Sequence, residues 1–109
     1  MDTMTLREVC NTFGVSRRAI QGYEKTGLLS PSGKNERGHL LYDEKSQERI
    51  RQIRMFQHIG FTLKEIGEII DASEAVRKKA LEKQLDRLEE EKEQMEALIK
   101  EVYRMIEEN

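Results

Sequence analysis

The last third of the chain places the strongest limit on its fold. Residues 74–107 contain no proline and no glycine, and strong helix formers such as Ala, Glu, Lys and Leu dominate there. Apolar side chains recur at alternating spacings of four and three residues, which is the a/d pattern of a coiled coil. We call these positions the seam; they are Leu81, Leu85, Leu88, Lys92, Met95, Ile99, Val102 and Ile106. The pattern predicts one long helix.

The seam also predicts a second chain. A helix of this length extends for about 50 Å at 1.5 Å per residue, which is further than the core of a 109-residue chain can cover. The seam is therefore expected to pair with its own copy. Lys92 weakens such a core but favours one register or orientation of the two helices. A helix lying along its own domain is the alternative explanation.

Charge is distributed unevenly along the chain. The net charge is −2, yet residues 1–70 carry eleven Lys and Arg against nine Asp and Glu, whereas residues 71–109 carry eight against twelve. Five basic and only two acidic residues fall within residues 14–42. This local positive excess is compatible with a nucleic-acid partner, although a solvated face often shows a similar excess.

Several classes of protein are excluded. No run of about 18 apolar residues could span a membrane, and the N-terminus lacks the basic and apolar regions of a secretory signal. Cys10 is the only cysteine, and neither it nor His39 or His58 has a neighbour at metal-ligand spacing. No catalytic triad, glycine-rich phosphate loop or carboxylate pair is present. We expect a cytoplasmic protein that is not an enzyme and has no metal or cofactor.

The first third of the chain predicts two short helices joined by a tight turn. Thr5 and Glu8 have the spacing of a capping box at the start of the first helix, and Gly14 ends it. Ser16 caps the second helix, which ends near Gly27. Two helices of about ten residues connected in this way form a helix-turn-helix.

Arg17 and Arg18 occupy the first turn of this second helix. A cation gains nothing there from the helix, because the N-terminal end of a helix is already partly positive. The pair therefore indicates an anionic partner outside the chain. The first turn of a recognition helix is the part that meets the bases and phosphates of DNA.

The middle of the chain predicts a wing and two more helices. Residues 28–42 contain the only proline and two of the seven glycines, which is typical of a loop with short extended arms. A small β-hairpin fits this segment, with Leu29 and Leu41 anchoring its two sides. Basic residues at its tip would form a wing that touches the DNA backbone. Asp43 then caps a third helix, and Thr62 starts a fourth with a second capping box.

Several motifs in residues 4–71 occur together in a recognisable order and spacing. They are Thr5-Leu6-Arg7-Glu8-Val9, Val15-Ser16, Tyr23-Glu24, Gly27-Leu28-Leu29, Arg37-Gly38, Tyr42-Asp43 and Gly60-Phe61-Thr62-Leu63-Lys64-Glu65-Ile66. In these motifs the chain closely resembles the MerR family of bacterial transcriptional regulators. The long helix that follows resembles the family in architecture.

The resemblance implies a mainly α-helical fold. Residues 1–71 would form a winged helix-turn-helix DNA-binding domain with a small β-hairpin wing, and residues 72–109 a dimerisation helix that forms an antiparallel coiled coil. A homodimer would bind double-stranded DNA at a pseudo-palindromic promoter site and bend or untwist it. RNA polymerase would be a further partner at the promoter. Since most members carry an effector region after this helix and the chain ends at Asn109, we expect a short member without an effector-binding domain.

The DNA-binding residues expected from the resemblance and from the basic patches form one set. It comprises Thr5, Ser16, Arg17, Arg18, Gln21, Tyr23, Lys25, Lys34, Arg37, His39 and Tyr42.

The chain departs from the family pattern at two places. Gln21-Gly22-Tyr23-Glu24 stands where the family has Arg-Tyr-Tyr-Glu, so Gln21 replaces a phosphate-binding Arg. A glycine inside a helix costs about 1 kcal/mol relative to Ala, so Gly22 predicts a close approach or a changed local surface. In the wing, Gly38-His39-Leu40-Leu41-Tyr42 replaces Gly-Tyr-Arg-x-Tyr, which removes an Arg and puts His39 at an aromatic phosphate contact.

Two other functions fit parts of the same sequence. A DNA-architectural or excision-type factor shares the winged fold and bends DNA without realigning a promoter, although the long seam argues against it. A coiled-coil interaction module with weak DNA binding would explain the changes at Gln21 and Leu40. The paired Arg17 and Arg18 favour DNA over this last alternative.

Overall fold

The computed structural model describes residues 3–108 and is mainly helical. Along the chain, the described residues form β1 (Met4–Thr5), α1 (Leu6–Phe13), α2 (Arg17–Lys25), β2 (Gly33–Lys34), β3 (Leu40–Tyr42), α3 (Glu44–His58), α4 (Leu63–Ile69) and α5 (Glu74–Glu108). The chain divides into two compact units, Met1–Asp71 and Ala72–Asn109. This architecture confirms the predicted helix-turn-helix, hairpin wing and long last helix.

The helix-turn-helix begins and ends where the capping residues predict. Thr5 Oγ1 accepts a hydrogen bond from the Glu8 amide at 3.3 Å, while Glu8 Oε1 accepts one from the Thr5 amide at 2.9 Å. Gly14 ends α1 in the left-handed conformation with φ of 62°, which glycine adopts without strain. Ser16 Oγ accepts a hydrogen bond from the Ala19 amide at 3.0 Å and so caps α2.

The wing differs from its prediction in two respects. The hairpin is formed by β2 and β3, with Gly33 opposite Leu41, so Leu41 anchors one side as expected. Leu29 is buried at 4% exposure but lies outside the strands, in the segment that connects α2 to β2. In addition, β1 pairs with β3 through Met4–Tyr42 and Thr5–Leu41, which gives a three-stranded antiparallel sheet in the order β1-β3-β2.

One hydrophobic core holds the first unit together. Its largest fully buried aliphatic side chains come from all four short helices, and they are Val9, Ile20, Ile50, Ile53 and Ile66. The predicted caps of the last two of these helices are also present. Asp43 Oδ1 accepts from the Ser46 amide at 2.9 Å, and Thr62 forms a capping box with Glu65.

Arg49 ties the helices of this unit to the loop that follows α2. Its Nε donates to the Leu28 carbonyl oxygen at 2.8 Å, and its two terminal nitrogens donate to both oxygens of Asp71 at 2.6 and 2.9 Å. The paired hydrogen bonds to Asp71 raise the pKa of Arg49, although burial opposes them. A bidentate pair of this kind fixes geometry more firmly than a single ion pair.

The second unit is one helix of 35 residues, as the seam predicts. Its apolar seam side chains are between 37% and 65% exposed within the single chain. No helix in residues 3–108 is both long enough and apolar enough to cross a membrane.

Candidate nucleic-acid interface

The N-terminal turns of α1 and α2 meet the wing around an open cleft. By the wing we mean β2, β3 and the turn of residues 35–39 between them. The cleft has a volume of about 640 Å³ and is lined by Thr5, Leu6, Arg7, Arg17, Gln21, Gly38, His39 and Leu40. Two helix starts and a hairpin tip therefore share one concave surface.

Strand pairing explains why these elements meet. Because Thr5 in β1 lies opposite Leu41 in β3, the first turn of α1 begins beside the wing. Arg7 is the second residue of α1 and projects from that turn. The tight turn at Gly14 then returns the chain, so that α2 starts near the same surface.

Asn35 shapes the tip of the wing. Its Oδ1 accepts hydrogen bonds from the amides of Arg37 and His39, both at 2.9 Å. Its backbone amide donates to the His39 carbonyl oxygen at 2.9 Å. Gly38 adopts φ of 81° in this turn, a conformation that side-chain-bearing residues rarely adopt. The exposed Arg37 and His39 side chains are thus presented from an ordered turn.

The electrostatics of the cleft favour an anion. Arg7 and Arg17 are exposed, and neither forms an ion pair with any residue in the described part of the chain. Among residues 3–108, no carboxylate lines the cleft. Carboxylates gather instead around a separate pocket, where Glu8, Glu44 and Glu48 lie with Arg51. The partial positive charges of the two helix starts add to the cationic side chains of the cleft.

The structure brings together only part of the predicted DNA-binding set. Four members, Thr5, Arg17, Gln21 and His39, line the cleft. Five other members are exposed but do not line the cleft. They are Ser16 and Arg18 at the start of α2, Lys25 in the last turn of α2, and Lys34 and Arg37 on the wing. The Thr5 hydroxyl already serves in the cap of α1, where it also donates to Glu8 at 3.2 Å.

The prediction that Tyr23 and Tyr42 contact DNA does not fit the structure. Tyr23 is 1% exposed, and its hydroxyl donates to Gln57 Oε1 at 2.6 Å. Tyr42 is fully buried, and its hydroxyl donates to Glu24 Oε2 at 2.5 Å. Both rings belong to the core. Burial of a large aromatic ring stabilises the fold more than a single exposed polar contact would.

These two tyrosines position the interface from within. The Tyr42–Glu24 bond joins the wing to α2, and the Tyr23–Gln57 bond joins α2 to α3. Burial of the Tyr42 hydroxyl, followed by its hydrogen bond to Glu24, raises the pKa of Tyr42 well above the usual tyrosine range. The bridge between wing and α2 therefore remains protonated at physiological pH.

The close approach predicted at Gly22 is not present among the residues that the structure describes. A Cβ atom placed on Gly22 would have no other atom within 4 Å, apart from its own helix and neighbours. Packing therefore does not explain a glycine at this place in α2.

Arg7 is the charged residue of the cleft that the sequence interpretation missed. The signal was available, because Arg7 lies in the first turn of α1, where a cation opposes the helix dipole as Arg17 does in α2. The sequence pattern did not predict β1. The pairing of β1 with β3 is what places the start of α1 beside the wing.

A helix-turn-helix whose first turns share a cationic cleft with a hairpin wing defines a winged helix-turn-helix protein. Residues 4–73 match the family model described as MerR HTH family regulatory protein, and residues 47–105 match the model described as MerR, DNA binding. The chain belongs to the MerR family.

Two relatives show how far the sequence similarity extends. The HTH-type transcriptional activator mta of Bacillus subtilis is 36% identical over 101 residues, which cover 93% of this chain and 39% of the relative. The nodulation protein NolA of a Bradyrhizobium strain is 38% identical over 82 residues, covering 75% and 34%. The chain thus spans less than half the length of both.

The crystal structure of MtaN, the N-terminus of the Bacillus subtilis multidrug transporter activator, has nearly the same extent as this chain. It is 35% identical, with a TM-score of 0.78, and the alignment covers 94% of this chain and 97% of that one. The similarity therefore includes both the winged unit and the long helix.

Proposed function

We propose that this chain is a sequence-specific DNA-binding transcriptional regulator that acts as a homodimer on a pseudo-palindromic promoter site. The cleft is the observation that carries the proposal. Arg7 and Arg17 supply positive charge and Gln21 and His39 supply hydrogen-bonding groups, and no carboxylate in the described part of the chain lines the cleft with them. Cationic and hydrogen-bonding side chains of this kind bind the phosphate oxygens of a DNA backbone at the edge of a groove.

The two parts of the winged unit have separate tasks in this proposal. The first turn of α2 enters the major groove, as the recognition helix of a helix-turn-helix does. Arg17 and Gln21 are four residues apart and so share one face of α2. Arg pairs well with guanine and Gln with adenine in that groove. On the wing, Lys34 and Arg37 bind the flanking phosphates, which sets the orientation of α2.

The homodimer follows from the exposed seam of α5. Pairing of two seams removes apolar side chains from water, and a twofold dimer presents two winged units to two half-sites. We propose that the dimer bends or untwists the DNA between the half-sites and so changes how RNA polymerase meets the promoter. The description of the Bacillus subtilis relative as a transcriptional activator supports this role.

Selection from random DNA tests the proposal. The purified chain should enrich a pseudo-palindromic site, bind it as a dimer and lose affinity as salt rises, at about −0.9 in log K per log salt for each phosphate contact. A matched control is the same DNA with one half-site scrambled, which should bind more weakly. Failure to enrich any site would contradict the proposal.

A second measurement separates a regulator from a DNA-architectural factor. In vitro transcription from a promoter that contains the selected site should change when the chain is added, and should not change when the site is scrambled. Bending of the DNA without any effect on transcription would instead favour the architectural role.

A further inference from the structure

Gly22 lies inside α2, although the fold does not require a glycine there. Its carbonyl oxygen accepts hydrogen bonds from the Thr26 amide and from Thr26 Oγ1, both at 3.1 Å, so the helix continues normally through this residue. Its φ lies outside the left-handed region, and a Cβ would have open space among the residues that the structure describes. Glycine lowers the stability of a helix interior relative to Ala, because it loses more conformational freedom on folding. The chain would therefore be more stable with Ala at position 22.

The surface around Gly22 belongs to the outward face of α2. Ile20 and Tyr23 are 0% and 1% exposed and mark the inward face of this helix. Arg18, four residues before Gly22, and Lys25, three residues after it, are exposed on the same side as Gly22. Neither cation forms an ion pair with any residue between 3 and 108. A stretch of helix backbone without a side chain thus lies between two unpaired cations.

We propose that Gly22 is a specificity-determining residue of the DNA interface, where the sugar-phosphate backbone of one strand packs directly against α2 between Arg18 and Lys25. The proposal rests on the proposed DNA-binding function and assigns a role to a residue that has no side chain. A DNA strand carries negative charge along its whole length, so the two cations hold it on either side of Gly22. The missing Cβ lets the strand approach the helix backbone closely.

The close approach at Gly22 sets how deeply α2 enters the major groove. A carbon atom added there would displace the strand by about one carbon–carbon bond length, about 1.5 Å. Arg17 and Gln21 line the cleft beside this face, and their hydrogen bonds to base edges require donor–acceptor distances of about 2.7–3.2 Å. A displacement of this size removes such bonds, whereas the long side chains of Arg18 and Lys25 still reach phosphates. Gly22 therefore controls specific binding more than non-specific binding.

The variant Gly22→Ala tests both parts of this argument. In urea titrations at equal protein concentration, the folding equilibrium should shift about fivefold towards the folded chain, because Ala is the strongest helix former. In fluorescence anisotropy, affinity for the selected site should fall at least about tenfold, because the added carbon overpacks the contact at both half-sites. Affinity for the scrambled DNA should stay within about twofold, because phosphate contacts dominate there.

The matched control is Gly67→Ala. Gly67 is an exposed glycine inside α4, and a Cβ there would meet Leu28 Cδ2 at 3.6 Å, an ordinary van der Waals distance. This substitution makes the same chemical change in a helix that does not line the cleft. It should stabilise the chain in the same direction and leave binding to both DNAs unchanged.

A larger side chain at the same position extends the test. Leu is also a strong helix former, so Gly22→Leu should keep the helicity of the chain in circular dichroism. Because Leu projects further from the helix than Ala, it should weaken binding to the selected site more than Gly22→Ala does. Equal affinities of the Ala and Leu variants would argue against a steric contact with DNA at this position.

The possible results separate this inference from the proposed function. If the unmodified chain does not prefer the selected site over scrambled DNA, the proposed function is refuted and the role of Gly22 with it. If the unmodified chain binds selectively and Gly22→Ala binds equally well, only the role of Gly22 is overturned. Equal weakening on both DNAs would also overturn it, because Gly22 would then affect general affinity rather than specificity. A Gly22→Ala chain less stable than the unmodified chain would show that the fold itself needs the glycine.

Discussion

Arg7 offers the most direct test of the cleft as a phosphate-binding surface. The side chain is exposed, lines the cleft and forms no ion pair with any residue between 3 and 108. Replacement by Ala should therefore change the free energy of unfolding by no more than about 0.5 kcal/mol. Any larger effect on DNA binding would then arise at the interface.

The expected magnitude follows from counterion release. Each phosphate contact contributes about −0.9 to the slope of log K against log salt, and a homodimer has two Arg7 side chains, so the slope of Arg7→Ala should be shallower by about 1.8. Between 50 and 200 mM salt, the unmodified chain should lose about 12-fold more affinity than the variant. Fluorescence anisotropy with the selected site at several salt concentrations measures both slopes.

Arg104→Ala is the matched control for this experiment. Arg104 lies on α5 and pairs with Glu101 at 3.0 Å, away from the cleft residues in sequence, so its removal should leave the slope unchanged. If Arg7→Ala retains the slope of the unmodified chain, Arg7 does not bind phosphate. The assignment of the cleft to the DNA backbone would then be refuted.

Three further predictions concern the other parts of the chain. Arg17→Ala or Arg18→Ala should weaken DNA binding without loss of helicity or dimerisation; unchanged affinity in anisotropy would remove the recognition-helix assignment. The raised pKa of Tyr42 means that the folded chain keeps a proton that the unfolded chain releases near pH 10, so the free energy of unfolding should fall as pH rises above about 10. In urea titrations at pH 8 and pH 11, the free energy of unfolding of Tyr42→Phe should fall less between the two pH values than that of the unmodified chain. An equal fall in both proteins would argue against the effect. Leu88→Glu should give a monomer in sedimentation, and a surviving dimer would show that the seam is not the interface.

Local features of the fold were predictable from sequence because they depend on neighbouring residues. The caps at Thr5, Ser16, Asp43 and Thr62 each need only a side chain and an amide three residues apart. The long helix follows from 34 residues without proline or glycine. Short-range hydrogen bonds and helix propensity are encoded in the chain itself, so the observed boundaries agree with these predictions.

The candidate site was only partly predictable, because its members are distant in sequence. Residue type marked Arg17 and His39 as candidates, but the same reasoning also selected Tyr23 and Tyr42, which the structure buries. A tyrosine suits a phosphate contact and a core position equally well. Its role depends on whether an acceptor such as Gln57 or Glu24 lies within reach inside the fold.

The amino-acid sequence by itself determined the helices, their caps, the wing segment and the apolar seam of the last helix. Only the tertiary structure decided which cations share a surface. Two residues of β1 pair with β3 and carry Arg7 to the wing, while two buried hydroxyl groups hold α2 between the wing and α3. Strand pairing and burial bring together residues that are far apart in the chain. Such long-range contacts cannot be inferred from the spacing of neighbouring residues.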